Sequence, residues 1–240
     1  MCWRPRRWTA LLHRAAAVPA ELLPGERPPA RSGALRQRAS YGLPEDAFVF
    51  CSFNNTFKFT EPLFSSWMRI LHAVPNSVLW LLADNDWAAR PHAWPRPPPW
   101  GAPRAPDHRA TRAPPEYLAR FALADLMLDT FPYNAGTTAS DALWMGLPIV
   151  TRAGHSYISP HGRQPLTAVG LPDLITETVA DYEALAIRLG QNPGRITSLK
   201  RYLAEHGRSS ALFDMPARVR DIEDALLPLA QAARQAASPA

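Results

Sequence analysis

The stretch Ala124–Thr151, ADLMLDTFPYNAGTTASDALWMGLPIVT, decides the fold of this chain. It begins with the apolar run Leu126–Leu128, which is typical of a short buried strand, and continues through a turn that contains Pro, Asn and Gly. Residues Thr137–Trp144 then have the pattern of a helix, which Gly146 ends, and Leu147–Thr151 has the composition of a second strand. A strand, turn, helix and strand in so short a stretch predict an α/β fold with a parallel sheet.

The start of the predicted helix has the chemistry of an anion site. A turn of small residues leads through Gly136 into Thr137 and Thr138, where backbone N–H groups and hydroxyls face outward and the helix dipole favours negative charge. Asp141, three residues after Thr138, offers a carboxylate that can accept hydrogen bonds from sugar hydroxyls. The same residues also fit an ordinary capped helix, with Thr137 or Thr138 as the N-cap and Asp141 as a first-turn acid.

A second α/β unit precedes this stretch. The apolar runs Ala47–Phe53 and Ser77–Ala83 predict two buried strands, and Glu61–Val74 between them has the spacing of an amphipathic helix. Lys58 lies on the loop after the first of these strands, at the sheet edge where ligands bind in open α/β folds. A lysine there can reach a phosphate as a flexible point charge, although a solvated loop lysine is the ordinary alternative.

The remaining chain is divided between regular and irregular segments. Helices are predicted over Pro115–Ala122, Asp181–Leu189, Ile196–His206 and Pro216–Ala233, with a short strand at Asp173–Thr176. The last helix is expected to bury Val219, Ile222, Leu226 and Leu227. Residues 1–40 and 88–113 are rich in Pro and Arg and lack a sustained period, Arg152–Pro165 is polar and interrupted by Gly and Pro, and Leu166–Leu171 is predicted to end a short helix. The predicted organisation is an irregular segment 1–40 and one α/β lobe over 41–235, with an irregular insertion at 88–113.

Composition excludes several classes of function. The net charge is +5, from 26 Lys+Arg against 21 Asp+Glu, but Lys58 and Lys200 are the only lysines and the arginines form no helix-spaced stripe, so we expect no nucleic-acid binding. Two cysteines, Cys2 and Cys51, without a CxxC pattern predict neither a disulfide framework nor a metal site. No signal peptide and no membrane-spanning segment are predicted, which favours a cytoplasmic protein.

Several collinear stretches give the chain a family resemblance. YGLPEDAFVFCSFNNTFKF, PYNAGTTASDALWMGLPIVT and LTAVGLPDLIT belong to segments that cover about Tyr41–Asp86 and Pro114–Phe213. In this order and spacing the chain resembles the C-terminal catalytic lobe of the protein O-linked N-acetylglucosamine transferase family (the O-GlcNAc transferase and SPINDLY-like group), in its bacterial form. The resemblance implies a glycosyltransferase-B arrangement, in which this chain is the Rossmann-like lobe that holds a nucleotide sugar.

The resemblance also implies roles for individual residues. Asn55 would lie near the uridine, Lys58 against the diphosphate as the catalytic residue, and Asp141 at the ribose. The positions that match the family's diphosphate-binding helix start are Gly136, Thr137 and Thr138. The implied donor is a UDP-sugar, UDP-N-acetylglucosamine first of all, and the implied reaction is inverting transfer to Ser or Thr of proteins with neither metal nor cofactor. The animal enzymes have His where this chain has Gly136.

The chain departs from the family in ways that leave alternatives open. The first lobe and the tetratricopeptide repeats that receive protein acceptors are not visible before residue 41, so an acceptor would need a separate chain or a missing lobe. The alternative is a truncated or decayed nucleotide-sugar-binding module without transferase activity of its own. Residues 1–40, 88–112 and 157–165 share an Arg/Pro/Ala/His-rich style, which suggests frame-shifted sequence, with genuine lineage-specific loops as the alternative. His155 and His161 are possible bases, but ordinary loop histidines are the favoured interpretation.

Overall fold

The computed structural model describes residues 37–82, 114–154 and 160–237. In this part of the chain one sheet of five parallel strands runs in the order β2-β1-β3-β4-β5. The strands are β1 (Phe48–Ser52), β2 (Ser77–Leu81), β3 (Leu126–Leu128), β4 (Ile149–Arg152) and β5 (Ile175–Thr176). The predicted parallel α/β fold is therefore confirmed.

The helices of the described segments surround this sheet. They are α1 (Glu61–Ala73), α2 (Pro114–Phe121), α3 (Thr137–Trp144), α4 (Pro160–Ala168), α5 (Val179–Gly190), α6 (Pro193–Tyr202) and α7 (Met215–Ala237). Short 3-10 turns lie at Arg38–Tyr41, Thr56–Lys58 and Pro172–Leu174, and a π-turn at Leu203–Gly207 follows α6. Helices on both faces explain why the strands are continuous apolar runs rather than alternating ones.

The order of the strands creates a crevice at the centre of the sheet. The chain moves outward from β1 to β2 and then returns to place β3 on the other side of β1, where Phe50 lies opposite Leu126. Such a reversal separates the connections that leave the carboxyl ends of the two central strands, and ligands of open α/β sheets bind there. A ligand site is therefore expected at the loops after β1 and β3.

Helix α1 shows how the sequence builds the core. Thr60 caps it by accepting a hydrogen bond from the Leu63 backbone N–H at 3.4 Å. Its apolar stripe, which includes Trp67 and Ile70, is fully buried. The Trp67 indole N–H reaches the hydroxyl of Tyr182 on α5 at 3.1 Å, so the two helices are joined by a polar contact inside the apolar core.

The amino-terminal edge of the sheet is held by Asp125. Its carboxylate pairs with Arg38 at 2.8 Å and with Lys200 at 3.1 Å, and it accepts a hydrogen bond from the Val49 backbone at 2.9 Å. Arg38 also donates to the carbonyl of Ala47 at 2.8 Å. Arg38 thus belongs to the fold, although it falls within the segment that was predicted to be irregular.

Two structural expectations are wrong. Helix α4 begins at Pro160, inside the predicted irregular segment, because proline is compatible with the first helical turn, where its missing N–H costs nothing. The stripe of α7 does not face inward: Val219, Ile222, Leu226 and Leu227 are 48%, 41%, 54% and 57% exposed. The helix has the predicted amphipathic pattern, but no described element covers its apolar face. None of the described helices is both long and apolar enough to cross a bilayer.

Candidate functional site

Lys58 lies in the central crevice, on the 3-10 turn that follows β1. Its ammonium is 3.2 Å from the backbone carbonyl oxygen of Asn134 and 3.5 Å from the side-chain oxygen of Asn54. It also lies 4.4 Å above the centre of the Tyr133 ring, a cation–π distance. Lys58 therefore contacts the loop after β3, as the shared carboxyl edge of the two strands predicts.

The surroundings act on the charge of Lys58 in two directions. The side chain is half-buried, and this loss of hydration lowers the pKa of Lys58 below its ordinary value. The negative charge of Asp129 works against that change and raises the pKa. The result is a partly desolvated cation beside a buried carboxylate, a combination that is common at functional sites.

Asp129 directly follows β3 and is the centre of a buried polar network. Its carboxylate accepts hydrogen bonds from Thr151 Oγ1 at 2.6 Å, Asn134 Nδ2 at 3.0 Å, and the backbone N–H groups of Ala135 and Thr130, each at 2.8 Å. The pKa of Asp129 is raised above its ordinary value, because burial outweighs the four hydrogen bonds, which lower it. The donors around the carboxylate favour its charged form and so work against the effect of burial. The network fixes the loop that leads into α3.

Helix α4 closes this network through Gly162. A Cβ atom at this position would lie 3.0 Å from Asn134 Nδ2 and from Asp129 Oδ2, and closer still to Thr151 Oγ1. Only a residue without a side chain allows the helix to approach the buried carboxylate so closely. Gly162 falls within the segment 157–165 that the sequence suggested to be frame-shifted, and its close fit favours the alternative of genuine sequence at this point.

The amino terminus of α3 presents backbone donors that no described residue accepts from. Its N-cap is Gly136, whose carbonyl accepts from Ala139 N at 3.0 Å and Ser140 N at 3.2 Å. Within the described segments, no acceptor lies opposite the backbone N–H groups of Thr137 and Thr138. A Cβ at Gly136 would meet nothing within 4 Å, so the space in front of these donors is open. An anion can therefore approach the backbone directly.

The capped-helix interpretation of this region is wrong. The N-cap is a glycine that makes no side-chain cap, and the two threonines lie inside the first turn. Thr138 instead hydrogen-bonds with the hydroxyl of Tyr117 on α2. Asp141 is the fifth residue of the helix and only 8% exposed, and burial raises its pKa to about 6. No described residue donates a hydrogen bond to its carboxylate, which leaves it available to a ligand.

The structure brings some predicted residues together and leaves others apart. Lys58 joins the loop that continues into Gly136, but the side chain of Asn55 is exposed and makes no described contact with the network. Its neighbour Asn54 is buried and donates to Thr130 Oγ1 at 3.1 Å, a role that sequence reasoning missed. His155 and the side chain of His161 lie outside the described residues. A signal for Asn54 and Asp129 exists, since the former directly follows the predicted strand Ala47–Phe53 and the latter directly follows β3.

Comparison with known proteins identifies the family. The model of glycosyl transferase family 41 matches residues 16–222. The chain belongs to this family. The predicted resemblance and the glycosyltransferase-B-type lobe are thereby confirmed. Among the described residues, no group of three or more His, Cys, Asp or Glu side chains could hold a metal ion.

Individual relatives give the extent of the similarity. A UDP-N-acetylglucosamine--peptide N-acetylglucosaminyltransferase from Caenorhabditis elegans is 35% identical over 219 residues, which are 90% of this chain and 18% of that protein. The Arabidopsis thaliana protein SEC, named a probable enzyme of the same kind, is 32% identical over 194 residues, 78% of this chain and 19% of its own length. A solved mutant O-GlcNAc transferase from Thermobaculum terrenum superposes with a TM-score of 0.68 at 27% identity, covering 81% of this chain and 40% of that one. The chain thus spans less than half of each of these proteins.

Proposed function

We propose that this chain is the donor-binding lobe of a protein O-GlcNAc transferase, which holds UDP-N-acetylglucosamine for transfer to Ser or Thr hydroxyls of proteins. The names of the relatives from Caenorhabditis elegans and Thermobaculum terrenum support the reaction. The acceptor would be received by a separate chain or a further lobe. Family 41 membership supports the class of enzyme, and the site geometry supports the residues.

One observation carries the proposal: a lysine ammonium meets, on the same loop, a helix terminus whose first backbone N–H groups have no acceptor among the described residues. Lys58 contacts the carbonyl of Asn134 at 3.2 Å, and Gly136, two residues further along, is the N-cap of α3. The ammonium and the N–H groups of Thr137 and Thr138 can therefore act on one diphosphate. Positive charge and oriented dipoles in a partly desolvated crevice are the means by which a site stabilises a departing anion without a metal.

The chemistry assigns a task to each group. The acceptor hydroxyl oxygen forms a bond to the anomeric carbon, the bond from that carbon to the β-phosphate oxygen breaks, and UDP leaves with the electron pair. Lys58 and the start of α3 neutralise the charge that develops on UDP. Asp141, with no described donor on its carboxylate, accepts from the ribose hydroxyls, and Asn55 lies towards the uridine. The hydroxyl proton passes to a base on the acceptor side of the sugar, which the further lobe or separate chain would supply.

Calorimetric titration of UDP and UDP-N-acetylglucosamine into the purified chain tests the proposal. Replacing Lys58 by alanine removes one charged hydrogen bond, so we expect the affinity for UDP to fall about 10-fold or more. Arg195→Ala is the matched control, since it removes an exposed cation on α6 that has no ion pair in the described part of the chain. A folded wild-type chain that does not bind UDP would overturn the proposal.

Transferase activity is measured separately, on an acceptor peptide with labelled donor. We expect transfer when the acceptor lobe is supplied, and expect Lys58→Ala to reduce the rate far more than it reduces the stability of the fold. Tight UDP binding with no transfer under any of these conditions would favour the alternative, a nucleotide-sugar-binding module without activity of its own.

A further inference from the structure

Within the described segments, no carboxylate pairs directly with the ammonium of Lys58. It contacts two amide oxygens, the backbone carbonyl of Asn134 at 3.2 Å and the side-chain oxygen of Asn54 at 3.5 Å. Both asparagines turn their side-chain nitrogens to Asp129, with Asn134 Nδ2 at 3.0 Å from Oδ2 and Asn54 Nδ2 at 3.5 Å from Oδ1. Asn134 and Asn54 thus each link the Lys58 ammonium to the buried carboxylate of Asp129, with one residue between the two charges in each link.

We propose that Asp129 is a positioning residue for Lys58: through Asn54 and Asn134, its buried carboxylate fixes the place of the ammonium and supplies the ammonium's counter-charge. The inference rests on the proposed role of Lys58 against the diphosphate. It assigns Asp129 to the function of the site, not only to the stability of the loop.

The indirect arrangement leaves the lysine available to a ligand. An ammonium has three N–H donors. Two of them are directed to Asn134 and Asn54, and the third has no acceptor among the described residues. A direct ion pair with Asp129 would occupy a donor and neutralise the charge at the place where an anion should bind. Separation by one residue keeps the attraction but leaves the charge open to a phosphate.

The other charged and titratable groups near this arrangement do not replace Asp129. The Tyr133 ring lies under the ammonium, and the Tyr182 hydroxyl donates to the backbone carbonyl of Asp129 at 3.0 Å. From β4, Thr151 donates to the carboxylate, while the Arg152 guanidinium lies 5.2 Å from the centre of the Phe131 ring. Helix α4 contributes Gly162, which has no side chain. Asp129 is the charged group that counteracts the desolvation of Lys58.

The lysine content of the chain makes a direct measurement possible. Lys58 and Lys200 are the only lysines, so labelling the lysine ε-carbon gives two signals in an NMR titration, and Lys200→Arg assigns them. In Asp129→Asn, which keeps the shape but removes the charge, we expect the pKa of Lys58 to fall by about 1 unit or more. The upper pH limit of UDP binding should move to lower pH by the same amount.

Two further variants separate positioning from stability. Thr151→Val removes one donor to Asp129 but leaves its charge, so it should destabilise the fold without lowering the pKa of Lys58. Asn54→Ala removes one of the two links between Lys58 and Asp129, and we expect a smaller fall in the Lys58 pKa and weaker UDP binding. This variant tests the inference even if Asp129→Asn does not fold. If Lys58 titrates as in the wild type in both Asp129→Asn and Asn54→Ala, the inference is overturned. If the wild type does not bind UDP, the proposed function fails, but the lysine titration still decides the role of Asp129.

Discussion

Replacing Gly162 by alanine places a methyl group inside the buried network around Asp129. The added Cβ would be 3.0 Å from both Asn134 Nδ2 and Asp129 Oδ2 and would collide with Thr151 Oγ1. Overpacking of this kind costs about 1–3 kcal/mol, and loss of a hydrogen bond to a charged group costs about 1.5–3 kcal/mol. Alanine gains about 1 kcal/mol of helix propensity over glycine in α4. We therefore expect a net loss of about 1.5–5 kcal/mol in the free energy of unfolding.

Urea unfolding followed by circular dichroism measures this change, and Gly194→Ala is the matched control. Gly194 also lies in a helix, α6, but a Cβ there would have Asn192 Oδ1 at 3.5 Å as its nearest neighbour, an ordinary contact. The control should be stabilised by up to about 1 kcal/mol. If the Gly162→Ala variant is as stable as the wild type, the close approach of α4 to the network around Asp129 is refuted. The expected loss would favour genuine sequence over the frame-shift hypothesis for this segment.

Three other predictions follow from buried or exposed side chains. Burial raises the pKa of Asp141 from 3.8 to about 6, so the folded state binds this proton more tightly than the unfolded state and wild-type stability falls as pH rises through that interval. Asp141→Asn should lose this pH dependence, and at about pH 8 urea unfolding should show a free energy of unfolding higher than that of the wild type by roughly 1–3 kcal/mol. Calorimetry on the same variant should show weaker UDP binding. Tyr182→Phe removes the hydroxyl that joins Trp67 to the backbone of Asp129, and thermal unfolding should report a loss of about 1–3 kcal/mol. Leu226→Gln on the exposed stripe should change the free energy of unfolding by less than about 0.5 kcal/mol, and a larger loss would mean that α7 is buried.

The elements that sequence reasoning predicted well are those whose burial is complete. Strand β1 was predicted from an apolar run in which Val49, Phe50 and Cys51 are fully buried, so the sequence pattern of this run favours no other element. The helix Thr137–Trp144 has the predicted bounds because Gly136 and Gly146 stand on either side of it. The position of Lys58 was also predictable, since parallel strands end at one edge of a sheet.

The parts that could not be predicted depend on partners that are distant in sequence. Two adjacent asparagines follow β1, and only the packing of the loop after β3 shows that Asn54 is buried and Asn55 exposed. The role of Asp129 depends on Thr151, which comes from the next strand. The stripe of α7 has the right period, but a period shows which face is apolar and not whether another surface covers it. Pro160 was interpreted as a breaker, although proline fits the first turn of a helix.

The place of β1 between β2 and β3 joins the two loops of the site through adjacent strands. Lys58 and Asn134 belong to loops of two strands that hydrogen-bond to each other directly, with Phe50 opposite Leu126 and Cys51 opposite Met127. Their separation is set by this pairing and by the contacts of Asp129. Two pieces of the chain, one ending after β2 and one starting before α2, should therefore be able to reassemble through the β1–β3 edge. Co-expression of such halves would turn the proposed donor binding into a reporter of their reassociation.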